Sequence, residues 1–227
     1  MRVQTRQSLY GSITSVGFAS GHRFVIGHWL HSPIGPFADI MWAKPDGSRV
    51  LVCEPKAAEY VTSVYPFSEV QHQQVDIQTT DYQKADLQAA DLQTADIQTA
   101  RSSRPQCPQN RRKFRARVLQ VTAGSLSLEV KLNRYFIWFP PRPRWVTQTL
   151  ENRLSQVLLG VKTYGTSPTG VSEWYRSKVL RWVSVASASI DGVDLGEMAS
   201  LERPLGFGFT DPPLRPCQTV LRVDLLR

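Results

Sequence analysis

The chain has 227 residues, a net charge of +8, 41% hydrophobic residues and 20% charged residues. That length suits one large domain or two small ones, and the composition excludes a disordered chain. No apolar run approaches the roughly 20 residues that span a bilayer, and the first twenty residues carry Arg2 and Arg6 without a continuous apolar stretch, so neither a membrane anchor nor a signal peptide is expected.

Taken in chain order, residues 22–31 (HRFVIGHWLH) read as a strand rich in β-formers. After the Pro/Gly turn SPIGPF, the runs ADIMWAK and RVLVC flank PDGS, which is a hairpin signal because Gly accepts the positive φ of such turns. In residues 54–64 Pro55 suits the first turn of a short helix. FSEVQHQQV is a further strand. Within 114–132, Leu126, Leu128, Val130 and Leu132 alternate with polar residues, giving a half-buried strand after a TAGS turn. YFIWF, residues 135–139, is short and β-prone, and PPRPR then halts regular structure. A helix is expected over 145–160, where Val146, Leu150, Leu154, Val157 and Leu158 form an apolar stripe that Gly160 ends. YGTSPTG (164–170) reads as a long turn, and 178–190, PLGFGF and TVLRVDLL as strands. The sum is a single, mainly β (α+β) domain: an antiparallel curled sheet or barrel with one long helix packed on it.

Residues 75–99 interrupt this pattern with five-residue steps: VDIQT, TDYQK, ADLQA, ADLQT, ADIQT. The period matches neither helix nor strand. ADLQA, ADLQT and ADIQT resemble the pentapeptide-repeat family, in which the chain winds a square right-handed β-helix. That resemblance implies inward positions for Leu87, Leu92 and Ile97, with Ala85, Ala90 and Ala95 beside them. Five repeats make little more than one coil, and a solenoid needs neighbours to stack on. A mobile loop and a helix are the other readings. Residues 75–113 are therefore taken as an inserted repeat plus basic linker.

Charge is uneven: residues 1–70 are near neutral, 71–100 carry −4 and 101–227 carry +11. The densest block, 101–117, holds seven cations and no acid, so Arg111, Arg112, Lys113, Arg115 and Arg117 are candidate nucleic-acid contacts. Three distant cysteines, Cys53, Cys107 and Cys217, with no CxxC pair, point to a reducing cytoplasm and support neither a disulfide framework nor a cysteine zinc site. His22, His28 and His31 lie close in sequence but lack nearby acids or thiols, so no metal is expected, and no motif implies a cofactor.

No complete catalytic constellation appears. The region 164–176 gathers the most chemistry: Tyr164 or Glu173 as acid/base and Arg176 as a clamp for a small anionic substrate. Such an enzyme needs these groups in one cleft, together with Asp39 or Lys44. Trp42, Ser167, Trp174 and Tyr175 are candidate ligand contacts. The main expectation is a small-ligand-binding β domain. The segments FVIGHWLHSPIGPFADIMWAKPDGSRVLV and GVKTYGTSPTGVSEWYR are similar to uncharacterised conserved actinobacterial proteins, a resemblance that implies no activity. The layout resembles acetoacetate-decarboxylase-like barrels, but no motif places their catalytic lysine, with Lys44 and Lys162 the lysines at hand.

Overall fold

A computed structural model of the chain describes residues 5–82, 116–141, 143–146, 149, 151–202 and 204–226. Leu87, Leu92 and Ile97, and with them most of the five-residue ladder, lie outside the described residues. So do Arg111, Arg112, Lys113 and Arg115.

The fold is mainly β, a strongly curled half-barrel sheet with two helices. Its strands are β1 (Arg6–Phe18), β2 (Arg23–His31), β3 (Phe37–Ala43), β4 (Arg49–Cys53), β5 (Glu69–His72), β6 (Asp76–Tyr82), β7 (Ala116–Ala123) and β8 (Leu126–Leu132). There follow β9 (Ile137–Trp138), β10 (Tyr164–Thr166), β11 (Ser172–Ile190), β12 (Val193–Asp194), β13 (Met198–Ala199) and β14 (Cys217–Leu226). The sheet runs β5-β4-β3-β2-β1-β14-β11-β8-β7-β6. All neighbours are antiparallel except β4 and β5, which helix α1 (Pro55–Thr62) connects.

The sheet curls on the nineteen-residue β11. Its register slips at Ser177/Val179 and at Val183/Val185, so it pairs with β14 along its first part and with β8 along its second. Bulges of this kind bend a strand and increase its twist. One core lies between the two arms. Val16, Phe24, Ile40 and Val50 from β1–β4 meet Leu119, Leu128, Val130 and Val183 from the other arm. The opposite face of β1–β4 and β14 carries a second set of apolar residues. This face is covered by α1, whose Ala57, Ala58 and Val61 pack on Leu51 and Cys53, and by Leu201, Leu205 and Phe207.

The PDGS hairpin is β3–β4, with Gly47 at φ 87°, and the strand expected at 22–31 is β2. Several elements differ from the sequence reading, the expected 145–160 helix only in its packing. β1, the longest strand of its arm, has no counterpart there. The ladder starts as a strand: Asp76–Tyr82 pairs with Ala116–Ala123, and Val75 and Ile77 pack against the core. PLGFGF is not a strand, because Gly206 takes φ 70° and Arg49 Nε holds the Leu205 carbonyl at 2.7 Å. Within the expected 145–160 helix, Arg144–Val146 and α2 (Asn152–Leu159) are helical, and Gly160 caps α2 at φ 65°. Its apolar stripe faces water: Leu154, Val157 and Leu158 are 59%, 82% and 69% exposed. The helix with a buried face is α1. Among the described residues no helix is long and apolar enough to cross a membrane.

Candidate functional site

Alternation along β1, β2, β3 and β14 sends Leu9, Ile13, Trp29, Leu221, Val223 and Leu225 to one side, where they wall a cavity of about 170 Å³. α1 and the segment from Phe207 to Pro213 close it. Two glycines of these strands stand where no side chain fits. A Cβ on Gly11 would stand 2.1 Å from the His28 carbonyl oxygen. At Gly27 it would stand 2.3 Å from Asp39 Oδ1 and 2.6 Å from Trp29 Nε1. Gly27 and Asp39 are cross-strand partners, so the bare backbone of Gly27 is the floor on which the Trp29–Asp39 bond lies.

Two buried carboxylates serve this space. Asp39 lines it and accepts the Trp29 Nε1 proton at 2.8 Å. Burial pushes its carboxyl up to about 6, partly opposed by that hydrogen bond. Its other cross-strand partner is Cys53, whose thiol burial and the Asp39 charge push up to about 12, so it is inert as a nucleophile.

Glu173 adjoins the cavity through two tyrosines that line it. Glu173 Oε2 accepts from the Tyr65 hydroxyl and, at 2.8 Å, from the Tyr175 hydroxyl, and the two phenol oxygens lie 2.8 Å apart. Three oxygens thus form three close edges. With Glu173 ionised only two protons serve them, and with Glu173 protonated each edge has one. Burial, opposed by the two phenol donors, pushes the Glu173 carboxyl up to about 7. Both phenols are raised well above their ordinary value, by burial first and then by the other members of the group. Glu173 Oε1 is buried with no hydrogen-bond partner. Among the described residues no Lys, Arg or His lines the cavity.

Of the sequence candidates, Glu173 and Tyr175 meet here. Tyr164 and Arg176 do not join them. Tyr164 stacks on Trp174 at 5.0 Å between ring centres, and Arg176 reaches Asp224, both on the opposite face of β11. The parity of the strand decides this, since residues 173 and 175 face the cavity and 174 and 176 face away. Trp42 belongs to the core between the arms and donates to His22 Nδ1 at 2.9 Å. Ser167 is buried in the β10–β11 turn, where its hydroxyl accepts the Val171 amide. Lys44 pairs with Glu69, and neither Lys44 nor Lys162 lines the cavity. Arg117 stands opposite Asp81 in the β6–β7 pair. His31 stacks on Tyr10, and among the described residues no cluster of His, Cys, Asp and Glu could hold a metal. Sequence reasoning missed Tyr65, Trp29 and Gly27. Of these, Gly27 left a signal, as a glycine inside a strand marks close approach of a neighbour. Comparison with protein-family models, with curated proteins and with solved structures finds no match.

Proposed function

We propose that the protein binds a small, largely apolar molecule in the cavity behind β1, β2, β3 and β14, with a hydrogen-bond donor of the ligand turned toward Asp39 and the Tyr65–Glu173–Tyr175 group. The observation that carries this reading is a mostly apolar space of about 170 Å³ lined by the buried carboxylate of Asp39 and by the two phenols that hold the buried Glu173. A dry cavity of about 150 Å³ accepts benzene, so this one suits a single ring or a short branched chain. The acidic, cation-free lining favours alcohols and amines over anions.

Titrating the full chain with phenol, benzylamine and benzoate, followed by amide NMR shifts, tests the proposal. Phenol and benzylamine are expected to shift cavity residues saturably and benzoate is not. Ile13→Trp, which fills the space, should abolish both effects while the protein stays folded. Absence of saturable shifts with any of these probes, or unchanged shifts in Ile13→Trp, overturns it.

A second reading follows from Glu173. A carboxyl titrating at about 7 beside two phenols populates both protonation states at neutral pH, the condition for general acid/base work on a bound ligand. In that reading Glu173 is the acid/base and the tyrosines hold it in place. The substrate would be neutral or cationic, because the arginine expected to clamp an anion faces the other side.

A further inference from the structure

The outer face of the same strands carries an arginine cluster that the cavity does not use. Asp224, with a fully buried side chain, is met by three guanidiniums: Arg6 Nη2 at 3.1 Å, Arg222 Nε at 3.0 Å and Arg176 Nη2. Ser8 Oγ donates to Asp224 at 2.6 Å and accepts from Arg222 Nη2 at 2.9 Å. Lys178 lies 4.5 Å over the ring of Tyr10, the cross-strand partner of Arg222. Three guanidiniums therefore meet one carboxylate, with Lys178 beside Tyr10, and among the described residues no other acid pairs with any of these cations.

A buried Asp needs a counter-charge, but one guanidinium supplies it. Three exceed the need and repel one another. Arg176 and Arg222 are direct cross-strand partners, a placement that is unfavourable for like charges. The excess is also presented outward: the Arg6 and Arg222 side chains remain 43% exposed and Arg176 24%. Arg176 Nε is buried and makes no hydrogen bond, so Asp224 does not use the whole of this guanidinium. Each guanidinium carries five N–H donors in a planar fork, and the contacts to Asp224 and Ser8 occupy few of them. Asp224 thus acts as the peg that fixes the forks side by side, and the surplus charge of the set suits a dianion.

We propose that the outer face where β1, β14 and β11 meet binds the phosphoryl group of a small phosphorylated molecule through Arg6, Arg176, Arg222 and Lys178. The fork geometry matches phosphate oxygens, and a dianion relieves the Arg176–Arg222 repulsion that Asp224 leaves over. This site is separate from the cavity and stands whether or not the cavity binds a ligand.

The test is a titration of the full chain with inorganic phosphate at constant ionic strength, followed by amide NMR and calorimetry. One saturable site is expected, with shifts confined to the outer face of β1, β14 and β11. Arg222→Gln should weaken binding by about tenfold or more, the loss of a charge-assisted contact. Lys178→Gln, which leaves every Asp224 contact in place and so keeps the fold, should weaken it by a smaller factor. Arg153→Gln, on α2, should bind as the parent does. Three results overturn the proposal: shifts that sodium chloride reproduces, Lys178→Gln and Arg222→Gln binding as tightly as the parent, or binding by a single-stranded oligonucleotide with none by phosphate.

Discussion

Glu173 and Asp224 lie almost side by side on paired strands, Asp224 opposite Trp174 and Glu173 opposite Leu225, and both are fully buried. Their chemistry is opposite. Glu173 has two phenols and no cation, and burial pushes its carboxyl up to about 7. Burial also acts to raise Asp224, but the Ser8 hydrogen bond and the charges of Arg176, Arg222 and Arg6 outweigh it, and the carboxyl sits below its ordinary value. A strand separates these environments by one residue step, because successive side chains leave on opposite faces. Burial alone thus does not set the charge state of a carboxylate; the partners on its own face of the sheet do.

Removing the outer carboxylate should have the largest effect. Asp224→Ala leaves three neighbouring guanidiniums without their shared acceptor, and a loss of about 3 kcal/mol is expected in urea unfolding. A loss under about 0.5 kcal/mol would mean that the arginines are adequately solvated without it. The contribution of Asp224 itself is present at neutral pH and is lost only as pH falls below the ordinary carboxylate value of 3.8.

The inner carboxylate should behave in the opposite way. Between about 4.5 and about 7 the folded chain keeps a proton on Glu173 that the unfolded chain has released, so raising the pH through this window favours unfolding. Asp39, raised to about 6, adds to the same slope. Glu173→Gln keeps an oxygen to accept from the tyrosines and cannot ionise. It should be more stable than the parent at pH 8 by roughly 2 kcal/mol, with the difference vanishing near pH 4. A pH slope unchanged by the substitution would place the titration elsewhere.

The smallest effect sharpens the comparison. Tyr175→Phe removes one of the two donors that lower the Glu173 carboxyl. A carboxyl 13C NMR titration should show Glu173 moving further up, with a stability loss of about 1 kcal/mol. Movement downward would mean that the phenol acts on Glu173 as a burying group and not as a donor.

The same alternation explains how much of the molecule was legible in the sequence. Strands with a covered face and a turn signal could be read directly, as in β3–β4 around Gly47 and β7–β8 around Gly124. β1 could not, because Gly11, where a Cβ would meet the His28 carbonyl oxygen, and Ser15, which lines the cavity, dilute the apolar rhythm. The apolar stripe of α2 was visible, but periodicity shows that a helix has a face and not what the face meets; here Val157 and Leu158 meet water. Glu173 and Tyr175 drew notice because they are neighbours in the chain. Tyr65 did not, since it lies just after α1, 108 positions before Glu173, and only the fold joins them. Arg176 could be read as an anion ligand, but its partners Arg6 and Asp224 lie at opposite ends of the sequence.

The pairing of β1 with β14 has a kinetic consequence. Arg6 faces Leu226 and Ser15 faces Cys217, so the central seam of the sheet joins segments about 200 residues apart. Contacts of such separation form late and slowly, because closing the intervening loop precedes any gain from the pairing. During synthesis β2, β3 and β4 can zip into a local meander, while β1 waits with one edge bare until residues 217–226 have emerged. Until then neither the cavity wall nor the arginine cluster is complete, since β14 supplies Leu221, Val223 and Leu225 to the one and Arg222 and Asp224 to the other. The nascent chain carries an open strand edge until β14 has been made, and that interval is when it is most exposed to mispairing with another chain.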